Sequence, residues 1–316
     1  MNKKLAFILS VLALMLLAAC GNNEKTTEKE QDGQLSIYTT VYPLQYFTER
    51  IGGDAVDVHS IYPPGADEHS FEPTQKDMMA LADSDVFFYI GLGLEGFVEK
   101  AEKTMNGEHV KMIATAEGIS EEMLEAGHDE EEGHDEHEHA HGPADPHVWM
   151  SPTLSVELAT SIKDALIEAK PDMKNEFQQN FEELQTDLLA LDEQFKEMAS
   201  NAPSKTFFVS HAAFGYLAEP YGLEQVAIAG LNSQSEPSQK QLAKIVQVAK
   251  EQHIRYVLFE QNVSSKLTEV VRKEIGAESL MLHNLGVLSA DDVKNKEDYF
   301  SLMEYNIETL KKALSE

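Results

Sequence analysis

Two periodicities alternate along this chain. Short runs of β-branched and aromatic residues are separated by stretches in which apolar residues recur every three or four positions. The runs Leu35–Val41, Val56–Tyr62, Ser84–Ile90 and the weaker His109–Ile113 predict four strands, and a helical pattern from Pro43 to Ile51 follows the first. The alternation then lapses and restarts with Lys205–Val209, Gln225–Ala229, Arg255–Phe259 and Ser279–Leu282. Strands alternating with helices build a parallel sheet, so the fold class is α/β, and two blocks of alternation predict two (β/α) lobes.

The segment between the blocks has a different pattern. From Asp172 to Ala199 there is neither Gly nor Pro, and apolar residues stand at Phe177, Phe181, Leu184, Leu188, Leu191, Phe195 and Met198, alternately four and three apart. That spacing predicts one helix of about 28 residues, ~42 Å long at 1.5 Å per residue. A coiled-coil dimer would use the same spacing. A single helix of about four heptads between two α/β lobes is better explained as a rigid spine packed along both, within a monomer. The expected division is an N-terminal lobe over 35–152, helices over 153–201 including the spine at 172–199, and a C-terminal lobe over 202–316.

The first residues read as an address. Lys3 and Lys4 precede an apolar run from Leu5 to Leu17, and Leu17-Ala18-Ala19 leads into Cys20. A basic start, an apolar run of roughly fifteen residues and small residues before the cleavage point predict a secretory signal over 1–19. The run falls short of the about 20 residues that a membrane span needs. Cys20 is the only cysteine, which rules out a disulfide within the chain. An exported protein with a lone cysteine at that point resembles a bacterial lipoprotein, lipidated on Cys20 and held to the membrane by that lipid. Residues 20–34 are polar and without periodicity, as a flexible tether would be.

Charge narrows the partners. The formal net charge is −30, which repels nucleic acid and attracts cations. Part of that excess is local: Glu121 to Glu138 holds ten acids and no Lys or Arg. In the same acidic stretch, a loop over 121–142, lie His128, His134, His137, His139 and His141, five of the chain's twelve histidines. Neutral imidazole is the commonest ligand for transition metals and carboxylates supplement it, so the loop reads as an auxiliary metal-attracting segment.

Two motif matches fail on context. Gly91-Leu92-Gly93-Leu94-Glu95-Gly96 has dinucleotide-fingerprint spacing, but it follows the third strand of its lobe instead of the first, and a glycine-eased tight turn accounts for it. His137-Glu138-His139-Ala140-His141 has the zinc-protease spacing, which works only on a stable helix; this one has no apolar face and is closed by Gly142-Pro143. The remaining candidates are single histidines at junctions. His69 lies in the turn Pro63-Pro64-Gly65-Ala66-Asp67-Glu68-His69 after the second strand, and His147 in Asp145-Pro146-His147-Val148-Trp149. His211 closes the fifth strand and His283 the eighth. Ligands of open parallel sheets bind at the carboxyl ends of strands, so three of the four point to one crevice, and jointly they contribute two from each lobe, as a cleft site requires. His59, His109 and His253 lack such settings and read as structural.

With these residues in place, the chain resembles the zinc receptors of bacterial ABC importers, the ZnuA/AdcA type, in the cluster that also holds manganese receptors. The resemblance covers essentially the whole chain after the signal. It rests on Pro63 to Pro73, on Gly91-Leu92-Gly93-Leu94-Glu95, on Asp145-Pro146-His147-Val148-Trp149-Met150-Ser151-Pro152, and on His211 in Ser210-His211-Ala212-Ala213-Phe214. The spine and the acidic His-rich insert complete it. It implies two lobes bridged by one long helix with metal between them, and the family's three ligand histidines fall on His69, His147 and His211. For the fourth ligand, Leu282-His283-Asn284-Leu285-Gly286 aligns with the Leu-Asp-Pro-Leu-Gly of zinc members, which favours His283; Glu68 and Glu260 are the alternatives. The implied function is capture of Zn²⁺ outside the membrane and delivery to an ABC permease with its ATPase. No enzymatic activity is expected. A manganese receptor, a secreted zinc hydrolase and a metal-dependent adhesin are the competing readings.

Overall fold

The computed structural model describes residues 33–125, 144–262 and 265–315. The signal segment, Cys20, nearly all of the tether and the five loop histidines His128, His134, His137, His139 and His141 lie outside the described residues. Leu35–Glu316 forms one compact unit. Among the described residues no helix is long and apolar enough to cross a membrane.

Among the described residues, eight strands form two four-stranded parallel sheets. The first contains β1 (Leu35–Thr39), β2 (Val56–Ser60), β3 (Val86–Tyr89) and β4 (Lys111–Ala114), in the order β2-β1-β3-β4. The second contains β5 (Thr206–His211), β6 (Glu224–Ala229), β7 (Tyr256–Phe259) and β8 (Glu278–Met281), in the order β6-β5-β7-β8. The two orders are equivalent, so the second half of the chain repeats the winding of the first. β3 is buried at all four positions, as an inner strand covered on both faces must be. In β5 the side chains alternate: Phe207 and Val209 join the large core, while Phe208 joins a smaller core with Ile228, Val257 and Val271 on the other face.

The predicted boundaries hold within a few residues, and the departures have local causes. β1 ends at Thr39 because Val41 is the N-cap of helix Tyr42–Gly52, which has Pro43 in its first turn. β5 runs two residues past the β-rich run Lys205–Val209 and ends on His211, as expected for that histidine.

The spine is a helix from Lys174 to Asn201, 28 residues long, preceded by a 3₁₀ turn at Pro171–Met173. All of Phe177, Phe181, Leu184, Leu188, Leu191, Phe195 and Met198 are buried in it. Its apolar stripe serves both halves of the molecule. In its first half the Asn180 side-chain amide donates to the Ile51 carbonyl at 3.0 Å, and at its middle Asp187 accepts from Arg50 at 2.8 Å. Nearer its end Phe195 stacks on Tyr221, with ring centroids 5.6 Å apart, and Asp192 accepts from the Tyr221 hydroxyl at 2.8 Å. The helices Pro152–Ala169 and Tyr299–Ala313 pack against it as well.

The glycine turn after β3 is closed from within. Gly91, Leu92 and Gly93 take φ of 85°, 55° and 81°. The buried Glu95 carboxylate accepts from the backbone N–H of Ile90 at 2.8 Å and of Gly91 at 3.1 Å, and from the Thr40 hydroxyl at 2.8 Å. The concavity that would receive a phosphate in a dinucleotide fold is occupied by the chain's own carboxylate. His59 and His109 sit beside Asp57 and Asp85, at 3.2 Å and 2.9 Å.

Candidate metal centre

The carboxyl ends of strands from both sheets converge on one cluster. The loop after β2 contributes Glu68 and His69, and the turn before the 3₁₀ segment Val148–Met150 contributes His147. β5 contributes His211, and Glu260 follows β7 directly. One donor atom from each of Glu68, His69, His147 and His211 lies within 4.8 Å of the other three, and this is the one such group among the described residues. His147 and His211 are fully buried, Glu68 is nearly so, and His69 is half-buried.

The three imidazoles stand edge to face around a common centre. Ring centroids are 5.1 Å apart for His69 and His147, 5.3 Å for His147 and His211, and 5.6 Å for His69 and His211. The Nε2 atoms of His69 and His147 are 3.1 Å apart. Two nitrogens held at ~2.0–2.1 Å by one tetrahedral zinc would stand ~3.3 Å apart, so this pair is already spaced for a shared ion.

Carboxylates orient two of the rings. Asp145, buried two residues before His147, accepts from its Nδ1 at 2.7 Å and from its backbone N–H at 2.9 Å. Glu260 accepts from His211 Nδ1 at 2.7 Å and from the Ser210 hydroxyl. A carboxylate oxygen only accepts, so each Nδ1 carries the proton and each Nε2 is left to offer a lone pair. His211 Nε2 is buried with no hydrogen-bond partner, a costly arrangement that a metal ion would relieve.

The electrostatics follow from this crowding. Burial, reinforced by the neighbouring imidazoles His147 and His211, pulls His69 down to about 4. Burial also acts downward on His211, but the Glu260 charge and hydrogen bond, with Glu68 and Asp145 nearby, leave it raised. Burial would lift Glu260; His211, Ser210 and Asn284 outweigh it and hold the carboxyl low. Glu68 is pushed up, mainly by burial.

His283 does not join the cluster. Its ring packs edge-on against Tyr305 at 5.0 Å, its backbone N–H donates to Asn306 at 2.8 Å, and its Nδ1 is buried without a hydrogen bond. The preference for His283 as fourth donor is therefore not carried by the geometry. The sequence reading puts it at the end of the eighth strand, but β8 stops at Met281 and His283 lies two residues beyond it, with its side chain against Tyr305 while its neighbour Asn284 reaches Glu68. Glu260, the other alternative, reaches His211 as a hydrogen-bond acceptor. Asp145 has a positioning role that the sequence reading did not assign; its place in Asp145-Pro146-His147 was the available signal.

Residues 37–313 match the family described as zinc-uptake complex component A, periplasmic (ZnuA). The chain is 38% identical over 311 residues to the zinc-binding lipoprotein AdcA of Streptococcus pneumoniae, a match that covers 98% of this chain and 60% of that relative. It is 37% identical to the high-affinity zinc uptake system protein ZnuA of Bacillus subtilis, with 99% of each covered. Among solved structures, the Zn(II)-bound ZnuA-like domain of S. pneumoniae AdcA superposes with a TM-score of 0.72 at 35% identity, over 90% of this chain and 100% of that one. By this match along nearly its whole described length, the chain belongs to the ZnuA family.

Proposed function

We propose that this protein is a solute-binding receptor that captures Zn²⁺ outside the membrane and hands it to an ABC permease driven by its ATPase. The observation that carries the reading is the buried cluster of three imidazoles and one carboxylate, drawn from the loop after β2, the turn before Val148–Met150 and the end of β5. His69, His147, His211 and Glu68 are the proposed zinc ligands, with Glu68 in the place first given to His283. Three nitrogens and one oxygen suit Zn²⁺, whereas Mn²⁺ prefers more oxygen donors. A four-ligand site keeps no open position for a reacting water, which favours carriage over hydrolysis. The pneumococcal relative is named a lipoprotein and the Bacillus relative a zinc uptake protein, in keeping with export and lipid anchoring at Cys20. The His-rich loop, outside the described residues, is proposed as an auxiliary collector.

The deciding experiment is elemental analysis of the purified chain before and after chelation, with Zn²⁺ and Mn²⁺ in competition. One tight zinc per chain, displaced by Mn²⁺ only at large excess, is expected. Preferential retention of manganese would reverse the assignment of cargo.

Protons compete with zinc in a defined direction. His211 and Glu68 have raised pKa values, so each tends to hold a proton that zinc must displace, whereas His69 is already neutral down to about 4. Each displaced proton weakens binding about tenfold per pH unit below the pKa concerned. Zinc affinity should therefore fall steeply from pH 7 to pH 5, with protons released on binding. A flat profile over that range, measured by competition with a chelator of known pH dependence, would contradict the set.

A further inference from the structure

The turn after β8 has two features that metal ligation alone does not require. Asn284 is buried, and its side-chain amide nitrogen lies 3.1 Å from Glu68 Oε1 and 2.9 Å from Glu260 Oε2. One NH₂ group thus donates to two buried carboxylates, one from the loop after β2 and one from the end of β7. The residue is itself clamped: its Oδ1 accepts from the Gly286 N–H at 3.1 Å, and its carbonyl accepts from the Trp149 indole at 2.7 Å. Leu285, fully buried, takes a φ of 57°, a left-handed conformation that a leucine keeps only when its surroundings enforce it.

Gly286 is the second feature. Its φ is not among the positive ones, so the backbone does not demand glycine there. Space does. A Cβ at this position would stand 2.7 Å from Glu68 Oε1, 2.9 Å from its Cδ and 3.3 Å from Oε2. The Gly286 carbonyl also accepts from the Tyr42 N–H at 2.9 Å, which pins the turn against the first half of the chain.

We infer that the turn Asn284–Gly286 is the seat that sets the Glu68 carboxylate on the metal, with Asn284 as a positioning residue and Gly286 as the residue whose missing side chain makes the room. The inference rests on the ligand reading given under Proposed function. The turn thereby determines that the fourth donor is a carboxylate oxygen instead of solvent. A side chain at 286 denies Glu68 its place while leaving the three histidines and their carboxylate partners untouched.

The test uses the full chain and three variants, Glu68→Ala, Gly286→Ala and the double variant. Zinc affinity is read by chelator competition, and ligand geometry by the visible absorption of the Co²⁺-loaded proteins. Gly286→Ala is expected to weaken zinc binding by about 10- to 100-fold, the range seen when a group supporting a ligand is lost. Its cobalt spectrum should change in the same way as that of Glu68→Ala. In the Glu68→Ala background the substitution at 286 should have no further effect on either readout, because its clash partner is gone. If Gly286→Ala does not fold, the double variant should, for the same reason. Wild-type affinity and spectrum in Gly286→Ala would overturn the inference while leaving the ligand set intact, as would an equal loss with and without Glu68. Unchanged affinity and spectrum in Glu68→Ala would overturn the ligand reading, and the inference with it.

Discussion

Replacing His211 by alanine should weaken zinc binding by roughly two to three orders of magnitude. Tetrahedral protein zinc sites bind with about 10–16 kcal/mol in all, so one of four ligands accounts for about 2.5–4 kcal/mol. The same change should also cost the apo protein stability. His211 is fully buried against Glu260, and removing one partner of a buried pair strands the other at a cost of about 3–5 kcal/mol. His69→Ala provides the contrast. That ring is half-buried, and among the described residues its recorded side-chain partner is His147, whereas His147 and His211 each pair through Nδ1 with a buried carboxylate. Its removal should lower zinc affinity comparably while moving the apo melting temperature little. Isothermal titration and thermal melting of both variants separate the two effects; zinc affinity retained in His211→Ala would sink the site assignment.

Saturating zinc should raise the melting temperature by roughly 8–16 °C. A ligand present at a thousandfold over its Kd stabilises the native state by about 4 kcal/mol, and each kcal/mol moves the midpoint by about 2–4 °C in domains near this size. The ion is proposed to be gripped by the loop after β2, the turn before Val148–Met150 and the last residue of β5. Binding thus adds a further tie between two sheets that the spine, the neighbouring helices and loop contacts such as Tyr42 N–H to the Gly286 carbonyl already hold together. A chelator should abolish the shift. An equal shift with Mg²⁺ or Ca²⁺, or none with zinc, would contradict a selective site that joins both halves.

The fold was legible because its periodicities are strong and unmixed. β-rich runs bounded by Gly, Pro and polar residues mark all eight strands, and the alternating four-and-three spacing from Phe177 to Met198 marks the spine at its full 28 residues. Sequence spacing does not report in which direction a turn aims its side chains. Glu68 and His69 are neighbours, and neighbouring residues rarely face one ion; here the loop that carries Asp67 turns both donors inward. His283 and Asn284 are neighbours as well, and it is the amide, without metal chemistry of its own, that enters the crevice. The role of Glu260 could not be read from its surroundings in the chain, since its partner His211 lies 49 residues away.

The two carboxylates that orient the proposed ligands His147 and His211 differ in what they presuppose. Asp145 reaches His147 across two residues, through a turn that local sequence can form alone. Glu260 meets His211 only if β5 and β7 are aligned as Phe208 with Val257 and Val209 with Leu258. Side chains alternate between faces, so a slip of one residue would send Glu260 to the opposite side of the sheet and leave His211 unoriented. A zinc titration of this protein is in that sense also a folding assay: its affinity should read out the registry of two neighbouring strands, and the visible spectrum of the Co²⁺-substituted site should report a mispaired sheet that circular dichroism would score as native.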